Sequence, residues 1–362
     1  MTHDNSIIME MARSSLFVFY LTAGIYCLII NKKRLTYKYM LSALLFVWSI
    51  ELFKDAVSQL YGWFAEERIR DLYFLCDLIV VPLCALFVLT MLYKKYLTWK
   101  IFLRNAIPFF ICPILYALTG YKIIFYSGLL FPLIYGIIVI PKILSGLRKY
   151  EKAIENDYSY QENINVSWLK TVMILLIINL IFCVYLYVNV SCSLFYFYYG
   201  YCAIMWIYII FRTERLERPK WVPEAVTTSA EAALKEEAIQ KISNMPATVS
   251  AGWNAKLQHC FENENLFLNQ NLTMQDVATK IGTNRTYLSV YLNKKLHVAF
   301  YDYVNKYRLK YAENLLITTT DKIADIAQNS GFNNLSTFSS YFKKKNGCTP
   351  KEYRSRSQRN NL

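Results

Sequence analysis

Histidine is scarce in this sequence, and paired cysteines are missing from it. The only histidines are His3, His259 and His297, and none of the nine cysteines forms a CxxC pair. Most transition-metal sites in proteins combine several His and Cys ligands, so we expect no metal site. Seven of the cysteines lie in or beside apolar segments, where a thiol behaves as a small buried side chain. Cys260 and Cys348 lie in a polar region and are typical of a reducing compartment.

The sequence also lacks the short motifs of common enzymes. It contains no glycine-rich phosphate loop, no HExxH zinc motif and no GxSxG nucleophile motif. We therefore expect no cofactor and no enzymatic activity. A transporter or membrane enzyme with a regulatory tail stays as an alternative function, although the apolar half shows no obvious inverted repeat.

Long apolar stretches dominate the first part of the chain. A membrane-spanning helix needs about 20 residues to cross about 30 Å of hydrocarbon, and seven stretches are long enough. The first is not a typical signal peptide, because its basic cluster follows the apolar run and no A-x-A cleavage site is present. Residues 1–212 are therefore predicted to form a module of seven transmembrane helices. The segments run over residues 14–30, 37–59, 71–92, 100–119, 121–141, 167–189 and 192–211.

Lysine and arginine alternate between the two sides of this module. Connections one, three and five contain twelve of these residues, whereas the opposite side contains four. Cytoplasmic connections are enriched in Lys and Arg, so the N-terminus is predicted outside and the C-terminal region in the cytoplasm. This arrangement predicts a multi-pass protein of the inner (cytoplasmic) membrane. The twelve residues are Lys32, Lys33, Arg34, Lys38, Lys94, Lys95, Lys100, Arg104, Lys142, Arg148, Lys149 and Lys152.

Four charged residues interrupt the second and third apolar segments. Lys54 and Asp55 lie three and four positions after Glu51 and share one helical face with it, and Asp77 lies in the third segment. Ionisable side chains in a membrane usually face the interior of the helix bundle or a water-filled cavity. Two interpretations are open: an internal ion pair that joins neighbouring helices, or an outward-facing polar pocket that binds a small-molecule signal.

Residues 213–249 are predicted to form a helical linker. Within it, residues 224–243 read EAVTTSAEAALKEEAIQKIS and are rich in helix-forming residues. Their apolar stripe is thin and mostly alanine, which fits either a plain spacer or a helix through which two copies of the chain form a homodimer. Residues 243–252 are then predicted to form a loop. The stripe consists of Val226, Ala230, Leu234, Ala238 and Ile242.

The signals for a helix-turn-helix motif follow in residues 272–296. Thr273 and Asp276 have the spacing of a capping box that opens one helix. Gly282 suits a tight turn at the end of that helix, and Asn284 suits the N-cap of a second helix over about 285–295. Two short helices joined by a glycine turn, the second able to enter a major groove, are typical of a DNA-binding motif.

The same order of signals recurs in residues 320–347. Asp321 is predicted to cap a helix, Gly331 to turn the chain and Asn333 to cap a second helix, in which Phe338 and Phe342 pack inward. An amphipathic helix over residues 300–319 joins the two motifs. Its length of about 27 Å is close to the roughly 34 Å repeat of DNA. The sequence therefore predicts an all-α protein whose C-terminal domain can place two recognition helices in successive major grooves.

These features resemble the DNA-binding domain of AraC/XylS-type bacterial transcription regulators. The resemblance covers residues 250–356, leaves 357–362 as a tail, and rests on YRLKYAENLL (307–316), IADIAQNSGF (323–332) and TFSSYFKKKNGCTPKEYR (337–354). A seven-helix membrane module joined to such a domain is similar to the membrane-bound regulators seen in Bacteroidota. The resemblance implies that two sets of side chains face the bases. They are Arg285, Thr286, Ser289 and Val290 in the first motif and Leu335, Ser336, Thr337 and Ser340 in the second.

Several departures from the family pattern accompany this resemblance. Many relatives have Arg or Gln at positions occupied here by Ser289, Val290 and Ser340, and His297 replaces a glycine that is common in one turn. Hydroxyl and methyl groups can contact base edges, but bidentate guanine contacts are then few. Five lysines fit contacts to phosphate, which set register without reading sequence. They are Lys294, Lys295, Lys343, Lys344 and Lys345.

The expected partners are double-stranded DNA and membrane lipid. Residues 250–362 contain 16 Lys and Arg against 8 Asp and Glu, a balance that favours polyanions. We expect a membrane-embedded transcription factor that couples a signal sensed by residues 1–212 to gene expression. As an alternative, residues 1–212 are a passive tether from which proteolysis releases the DNA-binding part.

Overall fold

The computed structural model describes residues 3–63, 66–93, 96–188, 192–217 and 229–360. Sixteen α-helices occupy most of these residues, and no β-strand occurs among them. The basic residues Lys94 and Lys95, the first part of the predicted linker helix (224–228) and the last two residues of the tail lie outside the described residues. The chain divides into an apolar unit, residues Met1–Tyr150 with Val166–Arg218, and a C-terminal unit, residues Glu151–Asn165 with Val226–Leu362.

Eight helices build the apolar unit. Large aliphatic side chains such as Ile137, Ile181 and Ile204 are exposed on them, as expected for helices whose outer faces meet an apolar environment. Tyr20, Trp48 and Trp206 pack edge to face in the interior. The helices are α1 (His3–Ile30), α2 (Thr36–Leu60), α3 (Glu67–Asp77), α4 (Val80–Leu92), α5 (Trp99–Thr119), α6 (Lys122–Asp157), α7 (Leu169–Val188) and α8 (Cys192–Arg215).

Six spans in the described residues are long and apolar enough to cross a membrane, whereas the sequence predicted seven. The difference is α2, which has 25 residues but contains the charged residues Lys38, Glu51, Lys54 and Asp55. The exact number of membrane crossings thus stays a prediction. The six spans are Glu10–Ile30, Glu67–Leu92, Trp99–Thr119, Lys122–Asp157, Leu169–Val188 and Leu194–Arg215.

The third predicted segment, residues 71–92, is divided between α3 and α4. The helix ends at Asp77 and restarts at Val80. Pro82 explains the interruption, because proline has no N–H for the carbonyl of residue 78 and its ring clashes with that carbonyl. Ile79 and Val81 instead donate their N–H groups to the carbonyls of Cys76 and Leu78, both at 3.1 Å. The break therefore lies directly after the charged residue Asp77.

Two hydrophobic cores build the C-terminal unit. The first surrounds Phe261 and Leu288, and the second contains Phe338 and Phe342, which pack inward as predicted. The joining helix belongs to both, because Phe300 lies in the first core and Leu316 in the second. The helices are α9 (Ser229–Ser243), α10 (Ala247–Gln258), α11 (Met274–Ile281), α12 (Arg285–Lys294), α13 (Phe300–Thr318), α14 (Ile323–Asn329), α15 (Leu335–Asn346) and α16 (Pro350–Asn360).

The linker helix α9 is part of the first core. Ala238 and Ile242 are fully buried there, and α9 packs against α12. The homodimer prediction for residues 224–243 used the same two side chains, so their burial inside one chain leaves less of the stripe available to a second copy. The loop predicted over residues 243–252 is wrong beyond Pro246, because α10 begins at Ala247 and the proline lies at its N-cap.

The helix caps agree with the sequence prediction in the first predicted helix-turn-helix motif and differ from it in the second. Thr273 and Asp276 form both hydrogen bonds of the capping box, and Asn284 caps α12. In the second motif the N-cap of α14 is Lys322, not Asp321. The N-cap of α15 is Asn334, not Asn333. Asn334 has extended backbone angles and its side chain accepts from the N–H of Thr337, which is the geometry of a cap.

Candidate DNA-binding surface and a cavity in the apolar unit

Two glycines lie in the turns before α12 and α15, the helices predicted to read DNA. Gly282 and Gly331 have φ of +78° and +86°, in the left-handed region that favours glycine. A Cβ at Gly331 would lie 2.6 Å from the carbonyl oxygen of Phe267. Gly331 is therefore required by the close approach of two backbones as well as by its turn. His297 also has a positive φ, of 52°, so this turn keeps the left-handed backbone without the glycine of the family pattern.

The predicted contact residues of the second motif lie on the outer face of α15. Leu335 is 44% exposed, Ser336 and Ser340 are exposed, and Thr337 is half-buried. The opposite face of the helix holds the buried aromatic side chains of the second core. These four side chains are therefore accessible to a ligand of the domain, and their contact with bases stays a prediction.

The first motif offers fewer accessible side chains. Thr286 and Ser289 are half-buried, whereas Val290 is 6% exposed and packs in the first core. Burial removes Val290 from the set of side chains that can reach a base. The physical reason is α9, which packs against α12 and leaves less of α12 exposed than two-helix packing would.

Arg285, the arginine of the predicted contact set, is paired with a carboxylate of the same unit. Its Nε and Nη2 donate to Oδ1 and Oδ2 of Asp157 at 2.8 and 2.5 Å. This is the bidentate geometry that makes Arg–carboxylate pairs strong. Only 23% of the Arg285 side chain and 6% of the Asp157 side chain are exposed. The sequence analysis did not connect these two residues, which are 128 positions apart.

The five predicted phosphate-contacting lysines are exposed near the C-terminal ends of α12 and α15. Lys343, Lys344 and Lys345 occupy the last turn of α15, where positive charge interacts favourably with the helix dipole. Lys345 also lies 3.4 Å from Asp302, and Lys295 donates to the carbonyl of Ser243 at 3.3 Å. The five charges thus lie at the surface of the domain, and their contact with phosphate stays a prediction.

The sequence analysis missed the buried arginine Arg308. Its guanidinium donates to the carbonyls of Phe267, Ser159 and Asn269 at 2.7 to 2.8 Å, and to the hydroxyl of Ser159 at 3.0 Å. Burial lowers the pKa of Arg308 to about 10. Its spacing was a usable signal, because Val304, Arg308 and Ala312 recur every four residues on the buried face of α13.

The charged residues predicted in the apolar unit do come together. Lys54 of α2 lies 2.7 Å from Glu51 and 3.6 Å from Asp55, and it donates to Asp77 at the end of α3. The ion pair between neighbouring helices is therefore present. These four residues lie next to the break between α3 and α4.

A cavity of about 700 Å³ lies beside this charged cluster. Glu51, Asp55 and Asp77 line it, together with Arg13. Arg13 donates to the hydroxyl of Tyr199 at 3.2 Å and to the backbone carbonyl of Asp55 at 3.5 Å. Most of the remaining lining is apolar or aromatic, the usual make-up of a small-molecule site. The ion-pair and pocket interpretations are thus compatible, since the carboxylates that hold Lys54 also face the cavity.

Within the described ranges, no group of three or more His, Cys, Asp or Glu side chains is placed to hold a metal ion.

Known proteins resemble the C-terminal part of the chain. A helix-turn-helix domain family matches residues 277–356. The uncharacterized HTH-type transcriptional regulator YtdP of Bacillus subtilis is 34% identical over 98 residues, 27% of this chain and 12% of that protein. The putative HTH-type transcriptional regulator YkgA of Escherichia coli is 35% identical over 85 residues, 24% of this chain and 36% of that protein. The chain thus matches less than two thirds of the length of either relative.

Solved structures are also similar to part of the chain. The C-terminal domain of the two-component response regulator yesN from Fusobacterium nucleatum is 33% identical and covers 28% of this chain and 98% of that one, with a TM-score of 0.26. A transcriptional regulator with an AraC-type DNA-binding domain from Chromobacterium violaceum is 27% identical and covers 30% and 96%, with a TM-score of 0.27. At these TM-scores the structural similarity carries no argument of its own.

The helix-turn-helix geometry and the sequence matches define the class of the C-terminal part, which is a helix-turn-helix DNA-binding domain. The proteins that this part of the chain matches are named as transcriptional regulators.

Proposed function

We propose that the chain is a membrane-embedded transcription regulator in which the apolar unit senses a signal and the C-terminal unit binds a specific DNA sequence. The helix-turn-helix domain family that matches residues 277–356 carries this proposal. Support for the membrane half comes from six spans that are apolar and long enough to cross a bilayer. The connections that are rich in Lys and Arg favour a cytoplasmic location of the C-terminal unit. Chromosomal DNA lies on that side of the membrane.

Direct reading of bases would come from the outer face of α15 and the start of α12. Leu335 can cover a thymine methyl group, and Ser336, Thr337 and Ser340 can exchange hydrogen bonds with base edges. On α12, Thr286 and Ser289 remain in the set, and Arg285 can reach guanine once it leaves Asp157. The lysines would contact phosphate and add affinity without specificity.

Genome-wide crosslinking of the tagged full-length protein tests DNA binding directly. We expect discrete bound sites, with changed transcripts near them when the gene is deleted. Ser336→Ala should weaken binding at particular sequences by about tenfold, because a base contact is worth roughly 1–3 kcal/mol. The matched control is Ser355→Ala on the exposed surface of α16. Absence of discrete sites for the wild-type protein would remove the proposal.

We propose further that the cavity of the apolar unit binds the signal. Its apolar lining and its carboxylates suit a small, largely apolar molecule with a polar end that donates hydrogen bonds or carries positive charge. The break between α3 and α4 supports this site, because interrupted membrane helices leave backbone groups that can bind ligands. Lys54 would then hold the three carboxylates together when no ligand is present.

Charge-neutral variants separate a ligand site from a structural ion pair. Glu51→Gln, Asp55→Asn and Asp77→Asn should each abolish the transcriptional response to the inducing condition while the protein is still made. Lowered protein yield with an intact response would instead leave the cluster a purely structural role. A chain without residues 1–212 should lose the response entirely, and regulation that is unchanged in that variant would contradict sensing by the apolar unit.

Two further proposals concern transport by the apolar unit and the formation of a homodimer. Transport by the apolar unit predicts substrate uptake by vesicles that contain the protein. Among the described side chains of its stripe, a homodimer through residues 224–243 has Leu234 available, which is 53% exposed, whereas Ala238 and Ile242 are buried within the first core.

A further inference from the structure

An acidic segment of the chain packs on the DNA-binding domain. Residues Glu151–Asn165 comprise the last seven residues of α6 and most of the connection to α7, and they belong to the C-terminal unit. The segment contains four acidic residues and one lysine, whereas residues 250–362 contain 16 Lys and Arg against 8 Asp and Glu. It therefore presents to a basic domain the sign of charge that DNA phosphate carries.

Specific hydrogen bonds hold the segment beside the first helix-turn-helix motif. Ser159 donates its N–H to the carbonyl of Leu272 at 3.1 Å, and Tyr158 pairs antiparallel with Thr273, the N-cap of α11. The buried guanidinium of Arg308 donates to the carbonyl and the hydroxyl of Ser159. Ser159 is itself 1% exposed. The segment is thus built into the domain surface and does not merely lie across it.

On this anchored segment, Asp157 occupies the guanidinium of Arg285. The two bonds use the same N–H groups of Arg285 that a guanine would need in the major groove. About two turns of α12 further on, the side chain of Asn293 donates to Asn156 at 3.3 Å. The segment therefore covers part of the face of α12 that points away from the first core.

The segment also reaches the second motif. Asn334, the N-cap of α15, donates from its side chain to Glu162 at 3.3 Å. Recognition helices read bases mainly with their N-terminal residues. One acidic segment therefore contacts the first residue of α12 and the N-cap of α15, the ends of both recognition helices that DNA would use.

We propose that residues 151–165 form an internal competitor of DNA, which occupies the reading ends of both recognition helices until it is displaced. This proposal rests on the proposed function as a DNA-binding regulator. DNA phosphates and bases and the carboxylates of the segment bind the same donors, so the two cannot be bound there together. Because the segment begins within α6 and is followed in the chain by α7, a change in either helix would reach it through the backbone.

A comparison of Asp157→Asn with Glu155→Gln tests the competitor. Full-length protein in detergent is titrated with a mixed-sequence duplex and with fragments recovered by crosslinking. Asp157→Asn should lower the Kd for DNA by about tenfold, or about 1.4 kcal/mol, because it weakens a charge-assisted bidentate pair. Glu155 is exposed in the same segment and is not among its contacts to α12 or α15. Its change to Gln removes one identical charge and should leave the Kd near the wild-type value.

A reversible crosslink provides a second measurement on folded protein. Paired residues of an antiparallel bridge have Cα atoms about 4.5–5.5 Å apart, within the range that a disulfide spans. The double variant Tyr158→Cys, Thr273→Cys should therefore bind DNA weakly when oxidised and recover on reduction. The single variant Thr273→Cys loses the same cap and controls for oxidation of the native cysteines, so its binding should not depend on the redox state.

The outcomes separate the two proposals. If wild-type protein binds DNA, but neither Asp157→Asn nor the disulfide changes the affinity, the competitor is overturned and the DNA-binding function stands. If equal tightening follows Glu155→Gln, the effect is one of net charge and the competitor is likewise overturned. If no variant binds any DNA, reduced or oxidised, the proposed function itself fails.

Discussion

At the residue scale, Arg308 joins three parts of the C-terminal unit. One guanidinium satisfies acceptors in the segment 151–165, in the turn at residues 266–270 and on its own helix α13. A cation this deeply buried is tolerated only when its donors are used. The residue that carries this network is therefore a determinant of the fold, although it lies in a domain whose other basic residues are mostly at the surface.

We expect Arg308→Met to destabilise the C-terminal unit by about 3–5 kcal/mol, because it leaves several buried carbonyl groups without a donor. Hydrogen exchange of the amides near residues 158–160 and 266–270 should rise strongly in the full-length protein. Lys310→Met, on the exposed side of the same helix, should leave that exchange unchanged. Equal exchange in the two variants would contradict the role assigned to Arg308.

The two turn glycines provide a matched pair. Gly282→Ala places a side chain in open space and should cost only the left-handed backbone, about 1–2 kcal/mol. Gly331→Ala also brings the new Cβ within 2.6 Å of the Phe267 carbonyl, so it should lower the thermal unfolding temperature of the protein clearly more. If the two variants unfold at the same temperature, the close approach at Gly331 is not important.

At the element scale, the N-caps affect the stability of the helices in each predicted helix-turn-helix motif. Helix α11 begins with a complete capping box, whereas α14 begins at Lys322 with no side-chain cap. Lys322 already has the extended backbone of an N-cap, with φ of −61° and ψ of 143°. The first N–H groups of α14 therefore lack a side-chain acceptor that a short polar residue at this position would supply.

Lys322→Ser should stabilise α14 by about 1 kcal/mol. Hydrogen exchange of the α14 amides should then slow by about fivefold, since RT is about 0.6 kcal/mol. Asp321→Ser introduces the same residue one position earlier, outside the cap, and should not slow the exchange. Slower exchange in both variants would mean that a cap at residue 322 is not the cause, since the two changes remove charges of opposite sign.

At the scale of the whole molecule, charge sets how the protein meets DNA. The net charge is +14, and each lysine that neutralises a phosphate adds close to one to the steepness of the salt dependence of binding. We expect Lys343→Ala and Lys344→Ala each to reduce that slope by about one and to weaken binding to all sequences alike. Lys235→Ala, exposed on α9, removes the same charge and should leave the slope unchanged. An unchanged slope in the α15 variants would exclude those lysines as phosphate contacts.

The sequence by itself determined what local chemistry and composition control. Apolar length predicted long helices in residues 1–212, and the structure has long apolar helices there. The capping box of α11 is present as predicted, and Gly282 and Gly331 have the left-handed backbone of turns. Charge spacing picked out Glu51, Lys54, Asp55 and Asp77, which the structure brings together. These features depend on neighbours a few residues apart, so hydrophobic periodicity and cap preferences are sufficient to find them.

Only the tertiary structure decided which residues meet across long separations. Val290 was predicted to contact bases and Ala238 to lie in a dimer stripe. Both are buried in the first core, where α9 packs against α12. The pairing of Asp157 with Arg285 joins residues 128 positions apart, and no local pattern specifies such a pair. Burial and long-range pairing depend on how elements pack, which is why local patterns predict the recognition helices, whereas only the tertiary structure pairs Arg285 with Asp157.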